Sequence, residues 1–77
     1  MTGAQGDPQP QRYEIRVRGH LGATMLRAFP ALQAERRDGD TLLRGALPDQ
    51  SALYGVFAQI EALGLELLEL RRVPDGP

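Results

Sequence analysis

Seventy-seven residues allow one domain, of a size that buries only about 60% of the surface its unfolded chain exposes. Good packing or assembly has to supply the stability, because the chain has no cysteine and therefore no disulfide, thiolate metal site or thiol nucleophile, and its single His20 cannot build a zinc site alone. Nine basic residues against ten acidic ones leave a formal charge of -1, too weak a positive field for generic nucleic-acid binding.

No apolar run approaches the roughly 20 residues that span a bilayer. Residues 1–10 have neither a basic start nor an apolar core, so no secretion signal is read and a cytoplasmic location is expected. Every basic side chain is Arg and none is Lys, the usage of a GC-rich genome.

The segment 1–11 is Gly, Pro and Gln with almost no apolar content, and it is expected to be flexible. The short end 74–77 is read the same way, which leaves 12–73 as the folded domain. Residues 12–18 alternate: Tyr13, Ile15 and Val17 on one side, Arg12, Glu14, Arg16 and Arg18 on the other, the pattern of a strand with one buried face. Gly19 and Gly22 mark a turn. Over 21–29 the apolar positions Leu21, Met25, Leu26 and Phe29 predict a short helix that Pro30 ends, although Gly22 and Thr24 are poor helix formers.

A weaker strand is expected over 31–37, with Leu32 and Ala34 inward and Gln33, Glu35 and Arg37 outward. Asp38-Gly39 then supplies the positive φ that a tight hairpin needs, and 41–47 returns as its partner. Leu42, Leu43 and Leu47 put apolar residues on both faces of that strand, which suits a central position. Asp49 or Ser51 caps the next helix. Leu53, Val56, Phe57, Ile60 and Leu63 form its core stripe, and Gly64 with Leu65 makes a Schellman-type stop. The last strand covers 67–73, where Leu68 and Leu70 alternate with Glu69 and Arg71.

The order strand, helix, strand, strand, helix, strand predicts an α+β domain of the ferredoxin-like βαββαβ type: a four-stranded antiparallel sheet with two helices on one face. Right-handed crossovers favour the strand order 4-1-3-2, with charged outward residues on both edge strands. Through Tyr13-Glu14-Ile15-Arg16-Val17-Arg18-Gly19 and the stretch from Gln59 to Leu68, the chain resembles a group of small uncharacterised bacterial proteins from GC-rich genomes. In outline it is also similar to ACT domains, regulatory βαββαβ modules. That resemblance implies an amino-acid ligand beside the first strand-to-helix loop, here Gly19, His20 and Gly22, at a subunit interface. Where the ACT pattern carries an acidic residue and a Pro-Gly or similar pair, this chain has His20-Leu21-Gly22.

Chemistry is sparse. His20 could serve as a general base but has no Ser, Cys or acidic partner beside it in sequence, and Gly19-His20-Leu21-Gly22 lacks the lysine of a phosphate loop. Glu14 and Glu69 could meet across neighbouring strands, but the arginines among them favour ion pairs over a catalytic dyad. RNA-recognition modules of similar topology stack bases on sheet aromatics, and here Tyr13 points inward, so nucleic acid is not the expected partner. Tyr54 is read at the rim of the core; Leu42 and Leu67, if outward, would add apolar area to an interface.

The resulting expectation is a non-enzymatic interaction or regulatory module, a homodimer or a binder of a protein partner, working through its sheet face or edge. Arg16, Arg18, Arg44, Glu69 and Arg71 are the candidate interface residues, and no cofactor or metal is called for. A small ligand at Gly19, His20 and Gly22 is the alternative, and weak RNA binding the one after that.

Overall fold

The computed structural model describes residues 10–74; the segments 1–9 and 75–77, where flexibility is expected, lie outside the described residues. The chain runs β1 (Gln11–Arg18), α1 (Ala23–Leu26), β2 (Gln33–Arg37), β3 (Asp40–Leu47), α2 (Gln50–Ala62) and β4 (Leu67–Val73). Every strand pairing is antiparallel, in the order β2-β3-β1-β4, which is the expected 4-1-3-2 read from its other edge. The strictly alternating β1 and the doubly apolar β3 are therefore central.

β1 opens at Gln11, opposite Leu47, one residue inside the segment read as flexible. Tyr13, Ile15 and Val17 are buried on one face of it and meet Leu43 and Leu47 of β3, Leu53 and Ile60 of α2, and Leu21 and Phe29 from the chain around α1. This cluster is the core. Each fully buried aliphatic side chain contributes about 1.5–3 kcal/mol to it.

The helix expected over 21–29 shrinks to one turn. Gly22 stands at its N-cap with an extended backbone and no side-chain cap, and beyond Leu26 the bonds Ala28 N–H to Met25 O, Phe29 N–H to Leu26 O and Leu32 N–H to Phe29 O tighten to i→i−3 spacing. Leu21 and Phe29 are buried as the stripe required, but from turns flanking the helix, while Met25 is 36% exposed. The same tight path delays β2 to Gln33. It also carries Ala31 across Gly45 of β3, where a Cβ would lie 2.7 Å from the Ala31 carbonyl oxygen, so that interior glycine is a close-approach residue.

In the hairpin turn the positive φ falls on Asp38 (56°), a residue that tolerates the left-handed region. α2 carries both of its written ends. Asp49 Oδ1 accepts the Ala52 N–H at 2.8 Å; at the other end Gly64 takes φ +71°, with Gly64 N–H donating to Glu61 O and Leu65 N–H to Ile60 O, each at 3.0 Å. Leu53 and Ile60 are buried, whereas Val56, Phe57 and Leu63, expected fully in the core, are partly buried against it. Tyr54 is 61% exposed and so leaves the rim position read for it.

Helix cover explains that shortfall. One α-helix is about 10 Å across and strands lie about 4.8 Å apart, so α2 roofs about two strands and a single turn of α1 cannot roof the rest. α2 packs chiefly on β3. The helix-side face of β4, at the far edge, is left open.

Candidate functional site

β4 is where the sequence pattern and the structure part. In the register, Glu69 faces Arg16, Leu70 faces Ile15 and Arg71 faces Glu14, but Leu67 faces Val17, with a bulge between. Ile15 and Val17 point to the core, so Leu67 and Leu70 share the helix-side face although three positions apart. Leu68 is the extra residue of the bulge. The bulge thus gathers Leu67, Leu68 and Leu70 into one strip on an edge strand, 42%, 39% and 40% exposed. Leu67 therefore does not face outwards from the sheet.

The other edge differs. By its register with β3, β2 places Ala34 and Arg36 on the helix side and Glu35 and Arg37 outside. A charged residue on the inner face is a device that discourages strand addition. Each edge carries one there, Arg36 on β2 and Arg72 on β4, but β4 adds three exposed leucines and β2 only Ala34, which makes β4 the more receptive edge.

The outer sheet face collects three of the five predicted interface residues. Arg16, Glu69 and Arg71 line a shallow concavity of about 130 Å³ together with Glu14, Arg37 and Leu42. Leu42 faces outwards, as considered, yet is only 8% exposed, because its register neighbours Arg16 and Glu35 and the nearby Arg37 cover it with their stems. Each arginine here already holds a carboxylate: Arg16 donates from Nε and Nη2 to Asp40 Oδ2 at 2.9 Å, Arg37 pairs with Glu35 at 3.2 Å and Arg71 with Glu14 at 3.3 Å. The Glu69 side chain forms no ion pair or hydrogen bond among the described residues. This concavity therefore offers an unmatched carboxylate and no unpaired arginine for an anion.

Arg44 and Arg18 stand apart from this group. Arg44 pairs with Glu35 towards β2, its Nε buried without an acceptor among the described residues. Arg18 pairs with Glu66 at 3.0 Å, beside the backbone bond from Arg18 N–H to Glu66 O that closes the entry to β4.

Of the loop residues, Gly19 and His20 are held by the hairpin turn, while Gly22 stands at the N-cap of α1 and accepts the Leu26 N–H at 3.0 Å. Gly19, at φ +86°, donates its N–H to Gly39 O at 3.0 Å; His20 Nε2 donates to Asp38 O at 2.8 Å, since a carbonyl only accepts. Thr41, buried at 2%, donates its hydroxyl to Gly19 O at 2.7 Å and accepts the Leu21 N–H at 3.2 Å. The amides of Gly19 and Leu21 are thus engaged within the protein. A second concavity, about 230 Å³, lies between the turn after α1 and α2 and is lined by residues such as Phe29, Pro30, Leu32, Pro48 and Val56, with no titratable or nucleophilic side chain. Among the described residues no three of His, Asp and Glu converge as metal ligands, and no helix is long and apolar enough to cross a membrane.

Fold and surface define a small α+β domain with a four-stranded antiparallel sheet and two helices. Residues 12–71 match the model of the family described as "Domain of unknown function (DUF8691)", and the chain belongs to that family. No curated protein and no solved structure matches the chain.

Proposed function

We propose that the chain is a non-enzymatic interaction module that forms a homodimer through the β4 edge, with the adjoining outer sheet face as the surface it presents to a further partner. The observation that carries this is the bare strip Leu67, Leu68 and Leu70 on an edge strand, about 40% exposed at each residue. Monomeric soluble domains seldom leave contiguous apolar side chains beside unpaired strand amides, since together they invite a second strand. A domain of 77 residues also gains more from assembly than a large one, because its own core is small. The ferredoxin-like outline, with both helices on one side, suits such pairing, since it keeps the β4 edge clear of helix.

The chemistry supports a binding role over catalysis. The arginines lining the outer-face concavity are matched by carboxylates, and His20 is bonded to a backbone carbonyl on the hairpin turn. A ligand role for Gly19, His20 and Gly22 in the manner of ACT domains ranks below assembly, since the neighbouring amides are already in use. A GC-rich bacterial host fits the all-arginine usage. The test is solution mass: light scattering at micromolar concentration should return a dimer for the natural sequence and a monomer for Leu70→Asp, with the circular dichroism spectrum unchanged. A natural protein that is strictly monomeric overturns the assembly reading.

A further inference from the structure

Assembly through β4 leaves open how two copies meet, and the charges on that strand decide it. Two copies related by a two-fold axis pair their β4 strands antiparallel, and directly opposed residues must share a face if the helices are to stay on one side of a continuous sheet. That condition requires the axis to pass through a residue position, because an axis between positions sets an outer-face residue against a helix-side one. Three positions keep most of the strand paired. Centred on Glu69, the pairing sets Glu69 against Glu69 of the second copy; centred on Arg71, it sets Arg71 against Arg71. Centred on Leu70, the middle of the seven-residue strand, it sets Leu70 on Leu70 and Glu69 opposite Arg71 twice over.

We infer that two copies join β4 to β4 in the register centred on Leu70, forming one eight-stranded sheet held by reciprocal Glu69 to Arg71 ion pairs on its outer face. This rests on the assembly reading above. Four observations meet in it. Among the described residues, Glu69 is the outer-face carboxylate whose side chain has no internal partner. Arg71 holds Glu14 at 3.3 Å through one terminal nitrogen and keeps further donors for a second carboxylate. The exposed Leu70 would be covered by its own copy. The helix-side Arg72 falls opposite Leu68, where its aliphatic stem can lie over the leucine.

At the axis the two outer-face concavities, each with Glu14, Glu69 and Arg71 in its lining, become neighbours. The assembled dimer therefore presents a two-fold array of alternating carboxylates and guanidiniums. Its natural complement is a surface of mixed charge, not a polyanion.

Charge reversal tests the register directly. Glu69→Arg on its own sets arginine against Arg71 at both ends, and Arg71→Glu on its own sets glutamate against Glu69, so each variant should self-associate about tenfold or more weakly than the natural protein. Mixed in equal amounts, the two variants restore both ion pairs, and a heterodimer should form at concentrations where each alone is monomeric. Circular dichroism of each variant checks that it is folded. Dimers that ignore both reversals, or a mixture of folded variants that stays monomeric, overturn the register and leave the assembly reading standing. A natural protein that never dimerises overturns both.

Discussion

Thr41 shows how much one side chain ties together. Its hydroxyl, at the hairpin end of β3, donates to the Gly19 carbonyl and accepts the Leu21 N–H, so it joins the loop after β1 to the hairpin after β2. Removing the hydroxyl while keeping the volume leaves a buried amide and carbonyl short of partners, which costs about 1–3 kcal/mol. Thr41→Val is accordingly expected to lower the urea midpoint by that amount of stability with an unchanged m-value. A loss below about 0.5 kcal/mol would show that the loop satisfies itself otherwise. Nothing in the sequence marks Thr41 out, because its partners lie 20 and 22 positions away. Gly45 is similar: an interior glycine signals a close approach, but the approaching Ala31 carbonyl appears only once the fold is known.

At the scale of elements, legibility follows how local the controlling contacts are. α2 was readable at both ends because Asp49 and Gly64 act within a few residues of themselves. The choice between Asp49 and Ser51 as cap is resolved by the 2.8 Å bond from Ala52 N–H to Asp49 Oδ1. Asp49→Ala is expected to cost about 1 kcal/mol and Ser51→Ala less than about 0.5 kcal/mol, compared by thermal unfolding.

α1 is shorter than its apolar spacing predicts, because the burial at Leu21 and Phe29 is delivered by turns around the helix. In sequence β4 is a simple alternation. The bulge that moves Leu67 onto the helix side is set by the pairing with Arg16 and Val17, which no local window contains.

For the whole molecule, the sheet order follows from the pattern of elements, while the unequal edges do not. The outward charges at 35, 37, 69 and 71 make the edges look alike in sequence; the difference lies on the helix side, where each edge has one arginine but only β4 adds three exposed leucines. Of the predicted interface residues, Arg16, Glu69 and Arg71 come together, and Arg18 and Arg44 serve neighbouring ion pairs. In the proposed dimer β4, and not β2, is covered in solution. Amide hydrogen exchange read by mass spectrometry across a dilution series tests it most directly. The expected result is protection of residues 67–73 that rises with protein concentration while 33–37 exchange at a constant rate. Exchange over 67–73 that is independent of concentration, or protection that rises over 33–37 instead, would contradict the account.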